Sequence, residues 1–327
     1  MHVLVIGAAG MIGRKLVARI AADGGIGGRK ADRLSLVDVV APEMPAGFEG
    51  RAWAADLSAP GEAACMVGTR PEMIFHLAAI VSGEAEADFE KGYRINLDGT
   101  RLLFEAIRQE GLRQPGYCPR VVFTSSIAVF GAPFPEAIGD EFNLTPLTSY
   151  GTQKAIGELL LADYSRRGFF DGIGIRLPTI CIRPGAPNKA ASGFFSSILR
   201  EPLVGQPAVL PVADTVMHWH ASPRAAVGFL LHAATLDTAP MGQRRSLQMP
   251  GLAATVAEQI EALRRVAGDK AVALIRREPD ETVARIVAGW PRRFDAQRAA
   301  QLGFVAEKTF DEIIRVHVED ELGGKLP

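Results

Sequence analysis

The 327-residue chain carries 36 Lys and Arg against 37 Asp and Glu, a formal net charge of −1, with 48% hydrophobic and 22% charged residues. This is an ordinary globular composition, and its charge balance leaves no basic footprint for a nucleic acid or an anionic membrane. Cys65, Cys118 and Cys181, with no C-x-x-C spacing, exclude a disulfide framework, and no apolar run reaches the ~20 residues that a bilayer span requires.

In chain order, the first apolar run is His2–Ile6, which reads as a strand buried on both faces. The opening MHVLVIG lacks the basic start of a secretion signal, so a cytoplasmic protein is expected. The strand ends in Gly7-Ala8-Ala9-Gly10-Met11-Ile12-Gly13, and Met11 to Ala22 then shows helical apolar spacing. Glycines at a strand-to-helix turn let the backbone approach a pyrophosphate, and the helix start offers N–H donors and a positive dipole end. Leu34–Val37 is the next strand and ends in Asp38. A carboxylate there can accept both ribose hydroxyls of an adenosine and repels a 2′-phosphate, which predicts NAD rather than NADP. A third strand closes at Asp56-Leu57, and Met73–Ala79 forms a fourth. Phe89, Tyr93, Leu97, Thr100, Leu103, Phe104 and Ile107 share one helical face, and Val121–Ser125 is a strand running into Ser126. The helix from Tyr150 to Tyr164 places Tyr150 and Lys154 one turn apart on one face. A free tyrosine, with pKa ~10, is a poor base near neutrality. A neighbouring ammonium favours its phenolate. Gly174–Cys181 is the sixth strand.

This alternation is the signature of right-handed βαβ units, so the expected fold is α/β, a Rossmann-type doubly wound parallel sheet. After about residue 180 the texture changes, as Pro184, Pro187, Pro202, Pro207 and Pro211 cut the chain into short pieces. Strand candidates at Ala208–Val212, Val216–His220, Arg245–Met249 and Val272–Arg276 sit among further helices. The expected division is an NAD-binding domain over residues 1–180 and a smaller C-terminal substrate lobe over 181–327, with a strand near 216–221 rejoining the sheet. Just beyond the sixth strand, where open α/β sheets bind substrates, sit Thr179, Arg183, Asn188 and Lys189. A cation there can hold a carboxylate, and the hydroxyl and amide can take sugar hydroxyls. Ser82, after the fourth strand, is a further candidate for a substrate hydroxyl. His218 and His220 share a strand face but lack a carboxylate partner, so packing is predicted rather than metal ligation.

Together these residues resemble the extended short-chain dehydrogenase/reductase family, which includes nucleotide-sugar epimerases and dehydratases. The resemblance spans essentially the whole chain. It is carried by Gly7, Gly10 and Gly13, Asp38, Asp56-Leu57, His76-Leu77-Ala78-Ala79, Asn96-Leu97-Asp98-Gly99-Thr100, Ser125-Ser126 with Phe130-Gly131, Pro146 with Tyr150 and Lys154, and Arg176-Leu177-Pro178. It implies that Tyr150 removes a substrate hydroxyl proton as hydride passes to the nicotinamide. Ser126 would hydrogen-bond the reacting oxygen, and Lys154 would tune the tyrosine and hold the ribose. Further NAD contacts are implied at Met11, Ile12, Leu57, Ala78 and Pro178, with Asp56 at the adenine amino group and Asn96 supporting the site through its helix or a water. A homodimer is also implied, pairing the helices that begin near Leu97 and Tyr150. Leu103, Phe104, Leu159 and Leu160 would form its seam or else face the sheet.

Departures narrow the activity. Dehydratases of this family carry an Asp-Glu pair after the catalytic serine, whereas Ile127-Ala128 follow Ser126 here. Many sugar-nucleotide enzymes carry a late arginine for the diphosphate, and no arginine occurs between Pro211 and Pro223. The segment Arg176 to Ser192 resembles the subgroup that dehydrogenates D-erythronate at C2, which implies a small anionic sugar acid as substrate. Uronate dehydrogenase, a nucleotide-sugar 4-epimerase and a non-catalytic NAD-sensing regulator are the competing readings.

Overall fold

The apolar runs become strands with almost no exposed surface. In β1 (His2–Ile6), Val3, Leu4 and Val5 are wholly buried. The computed structural model describes residues 1–185 and 192–326. They fall into two compact units, the first built from Met1–Val129, Pro146–Leu177 and Val227–Gln248. Its centre is a seven-stranded sheet of β1, β2 (Arg33–Asp38), β3 (Glu49–Ala54), β4 (Met73–His76), β5 (Arg120–Ser126), β6 (Asp171–Leu177) and β7 (Ser246–Gln248), in the order β7-β6-β5-β4-β1-β2-β3. Every neighbouring pair is parallel, so the chain crosses over by helices, and the strand order reverses direction at β1. This is the doubly wound, Rossmann-type sheet.

The helices bury one stripe each. In α1 (Met11–Asp23) this is Leu16, Val17 and Ile20, and the helix stops at Gly24 in a left-handed conformation. Helices α2 (Glu62–Gly68), α3 (Gly99–Arg113) and α4 (Ser149–Arg166) share one core with the sheet, where Leu103, Phe104 and Ile107 meet Leu4, Ile6, Ile74, Val121 and Phe123. Leu103 and Phe104 therefore face the sheet, while Leu159 is 65% exposed. The helical stretch read from Phe89 to Ile107 contains a π-helical turn at Tyr93–Asp98. Two glycines press α4 onto the end of β5. A Cβ at Gly157 would lie 2.9 Å from the Phe123 ring, and one at Gly151 2.1 Å from the Ala128 carbonyl oxygen.

The second unit comprises Phe130–Thr145, Pro178–Ala226 and the chain from Met249 on. Its core gathers Phe194, Phe195, Ile198 and Leu199 of α5 (Gly193–Leu203) with Ile260 and Leu263 of α7 (Val256–Val272) and Ile313 and Ile314 of α8 (Phe310–Leu322); α6 is Pro223–Thr235. Two expectations are corrected. Met217–Ala221 does not rejoin the main sheet; it pairs parallel with Thr179–Ile180 and antiparallel with Leu252–Thr255. Its buried rings find polar partners in this unit, His218 at Thr179 and Pro291, and His220 at Gln259. The strand that does join is Ser246–Gln248, with Ser246 in register with Gly174, where a Cβ would meet the Ser246 hydroxyl at 2.5 Å. The division is also interleaved rather than a single break at residue 180, because 130–145 leaves the first unit and 227–248 returns to it. Among the described residues no helix is long and apolar enough to cross a membrane.

Candidate active site

The turn after β1 uses its glycines in different ways. Gly7 has φ +93°, and a Cβ there would lie 2.7 Å from the Ala78 nitrogen, so the turn can rest against the loop after β4. A Cβ at Gly13 would sit 2.1 Å from the Gly7 carbonyl oxygen, which lets α1 pack on its own loop. At Gly10 the nearest protein atom is the same oxygen, at 3.3 Å, and nothing else lies within 4 Å. The first and third glycines thus serve the fold, while the second keeps open the space before the start of α1. Gly10 caps α1 without a side chain, and the helix opens with half-buried Met11 and Ile12, where the first-turn N–H groups have no intrahelical acceptor. Asp38 closes this cradle. It accepts the Ala9 N–H at 2.9 Å and the Val39 N–H at 2.7 Å. An open glycine turn, a helix start and a carboxylate at the end of β2 fit a dinucleotide's pyrophosphate and ribose.

Asp56 is held by neighbours: Ser58 donates from its backbone at 2.9 Å and its hydroxyl at 2.6 Å, and Arg94 donates at 2.7 Å. Partial burial alone would raise its pKa, but these bonds outweigh it and the net shift is downward. Leu57 turns its side chain into the core beneath α3, and Ala78 is half-buried.

The predicted catalytic residues meet where α4 crosses the end of β5. The Thr148 hydroxyl accepts the Gly151 N–H at 3.1 Å and caps the start of α4, which places Tyr150 in its first turn. One turn on, Lys154 is buried, with its Nζ 5.8 Å from the centre of the Tyr150 ring and 4.9 Å from that of Phe123. It donates to the Thr124 carbonyl oxygen at 2.8 Å, two residues before Ser126. Burial lowers the Lys154 pKa to about 8, against the opposing pull of Glu158. Ser126 is half-buried, and its hydroxyl oxygen accepts the Ala128 N–H at 3.1 Å.

Several supporting residues escaped the sequence reading. Glu158 follows Tyr150 and Lys154 at the same helical spacing, and that periodicity was its signal. It accepts the Ser125 hydroxyl at 2.5 Å and two guanidinium donors of Arg176, the shortest at 2.7 Å. Gln153 is fully buried and accepts the Asn96 amide at 2.8 Å. Asn96 also takes the Ile80 N–H at 2.9 Å and returns a bond to the Ile80 carbonyl at 3.3 Å. It thereby ties the loop leading to Ser82 to the helix of Tyr150. His76 is neutral and buried. Thr100 spends its proton on the Asn96 carbonyl, so His76 donates to Thr100 from Nε2. Burial and then the Lys154 charge lower its pKa to about 3.

In the second unit Pro178 is buried, and the Thr179 hydroxyl lies 2.7 Å from Nε2 of His218. Arg183 is half-buried, donating to the Ile180 carbonyl and the Ser192 hydroxyl, each at 3.1 Å. Cys181 is a buried thiol that donates to the Phe195 carbonyl, and burial raises its pKa to about 12. Asn188 and Lys189 lie outside the described residues.

The sequence profile of the NAD dependent epimerase/dehydratase family matches residues 3–220. The chain is 47% identical to a D-erythronate dehydrogenase of Cupriavidus necator, over 98% of each chain. It is 40% identical to one of Haemophilus influenzae, over 98% of this chain and 100% of the other. Among solved structures, a protein of Agrobacterium tumefaciens described as a nucleoside-diphosphate-sugar epimerase is 69% identical, with TM-score 0.98, covering 100% of this chain and 96% of that one. A GalE-like L-threonine dehydrogenase from Cupriavidus necator, 23% identical over 98% of this chain and 99% of that one with TM-score 0.83, shares the fold.

Proposed function

The chain belongs to the NAD-dependent epimerase/dehydratase family, and from that premise we propose that it oxidises the C2 hydroxyl of D-erythronate to the 2-keto acid. It is an NAD-dependent dehydrogenase, and the finer reading concerns its substrate and chemistry. Gly7, Gly10, Gly13 and the start of α1 would hold the pyrophosphate, Asp38 the adenosine ribose, and Lys154 the nicotinamide ribose. Bound NAD supplies the hydride acceptor and a positive ring.

The observation that carries the reading is the buried Lys154 ammonium beside Tyr150. With a pKa near 8, the lysine is mostly charged near neutrality, and its charge stabilises a phenolate that can take the C2 hydroxyl proton. Ser126 donates to the reacting oxygen as the C2 carbon flattens. Arg183 serves the substrate carboxylate, since its guanidinium is oriented by the Ile180 carbonyl and Ser192. The exposure of Leu159 on α4 suits a second copy of the chain on that face, and light scattering should give the mass of a dimer.

The test is net NADH formation from NAD and D-erythronate, followed at the reduced nicotinamide band. Tyr150→Phe should abolish it while retaining NAD binding by calorimetry, and Arg183→Ala should raise KM for the acid. A second reading, a sugar-nucleotide epimerase, draws on the 69% identical relative. It predicts UDP-sugar isomerisation without net NADH, and lack of turnover across sugar acids would decide for it. Against it stands the sequence between Pro211 and Pro223, which offers a diphosphate no arginine.

A further inference from the structure

We propose that His218, although buried, is a specificity-determining residue: it claims the proton of the Thr179 hydroxyl and leaves Thr179 able only to accept, so that Thr179 selects a substrate hydroxyl and rejects the carboxylate. The inference rests on the sugar-acid reading above.

The polarity follows from two bonds. Nδ1 of His218 lies 2.8 Å from the Pro291 carbonyl oxygen, and Nε2 lies 2.7 Å from the Thr179 hydroxyl. A carbonyl oxygen can only accept, so the ring proton is on Nδ1. Nε2 then presents a lone pair, and the Thr179 hydroxyl must donate to it. The ring is held in place by stacking on Phe195, at 5.4 Å and 9° between planes, and by contact with Trp290 at 5.2 Å. Burial lowers its pKa to about 4, more than the Pro291 bond restores, and the Arg183 charge acts in the same direction as burial. The neutral tautomer therefore persists throughout the range in which a dehydrogenase is assayed.

Thr179 is half-buried, and what it offers a ligand is lone pairs alone. A carboxylate oxygen has only lone pairs too, and its approach would be repulsive. A sugar hydroxyl carries a proton and can donate. The anionic end of the substrate must accordingly go to donors such as Arg183, and Thr179 reads a hydroxyl away from the reacting C2. This division could not be read from the sequence, where Thr179 alone can donate or accept.

The experiment is a cycle of substrates against variants, read as kcat/KM. D-Erythronate is compared with its 3-deoxy and 4-deoxy analogues in wild type, Thr179→Val, Thr179→Ser and His218→Phe. Wild type should prefer D-erythronate over one deoxy analogue by roughly tenfold to hundredfold, the usual cost of leaving a site's polar group unpaired. Thr179→Val should erase that preference, and Thr179→Ser should restore most of it. His218→Phe, which frees the hydroxyl proton, should reduce it severalfold, whereas a merely structural role would lower all three substrates alike. Equal losses on all substrates in Thr179→Val would overturn the proposal while leaving the sugar-acid reading intact. If wild type oxidises no sugar acid, that reading fails instead. Nitrogen NMR of His218 then decides the polarity by itself: a proton on Nδ1 supports it and a proton on Nε2 refutes it.

Discussion

Replacing Lys154 with methionine, which is similar in length and uncharged, isolates what the buried ammonium costs the fold. Its pKa in the folded protein is about 8, against an ordinary 10.5, and burial is the dominant cause. Because the folded value is the lower one, unfolding takes up a proton between the two. Stability from this group is therefore lowest, and constant, below about pH 8, and rises with pH until about 10.5. The full shift corresponds to about 3 kcal/mol. Of this, roughly 2 kcal/mol should develop between about pH 7 and about pH 9.5. Urea unfolding of the two proteins without NAD, at several pH values in that window, should show wild type gaining roughly 2 kcal/mol on Lys154→Met. The variant also loses the bond to Thr124 and the cation over Phe123, but these losses enter at every pH and largely cancel in the comparison. Parallel stability curves would mean that the ammonium is hydrated, and Lys154 would not be the desolvated cation proposed beside Tyr150.

Three further outcomes test the cofactor cradle and its support. Gly13→Ala should cost several kcal/mol in a urea melt, because its Cβ meets the Gly7 oxygen, whereas Gly10→Ala should fold normally and weaken NAD binding about tenfold or more by calorimetry. Asp38→Ala should raise the ratio of NADP to NAD turnover by about tenfold or more, since the repulsion of a 2′-phosphate is gone; an unchanged ratio would remove Asp38 from the ribose. Glu158→Gln leaves Arg176 without its buried carboxylate and should cost roughly 3–5 kcal/mol in unfolding experiments. It should also move the alkaline fall of kcat to lower pH, because Lys154 loses the charge that opposes its burial.

The sheet was legible wherever one local rule decided the strand. His2–Ile6 and Arg120–Ser126 are apolar runs buried on both faces, and such runs announce themselves. The seventh strand was recognised as a strand but not as part of this sheet. Ser246–Gln248 is short, and its place depends on the absence of a side chain at Gly174, far away in sequence. Met217–Ala221 misled for the converse reason: its alternation suited a sheet, but its histidines bond to Thr179, Pro291 and Gln259, which periodicity cannot supply. Tyr150, Lys154 and the glycine turn stood out as candidates because their signal lies in local spacing, and the structure brings Lys154 beside Tyr150 as that spacing predicts. Asn96 with Gln153, and Glu158 with Arg176, become partners only when strands and helices from distant segments are brought together.

The charges around Lys154 bear on the proposed role of Tyr150 as the proton acceptor. Lys154 and Arg176 contribute two cations, and Glu158, bonded to Arg176 and Ser125, contributes one anion. These three groups together carry one excess positive charge, with Lys154 and Glu158 buried and Arg176 partly so. A further cation would worsen that balance, and His76 responds accordingly, held neutral first by burial and then by Lys154. A further anion would relieve it. In the proposed mechanism Tyr150, one turn from the lysine on the same helix, is the group that would take that charge. Removing Glu158's charge would lower the Lys154 pKa further and put its charge at risk. Glu158 therefore opposes the burial of Lys154 and helps keep it protonated near neutrality, the state that the proposed mechanism requires of it.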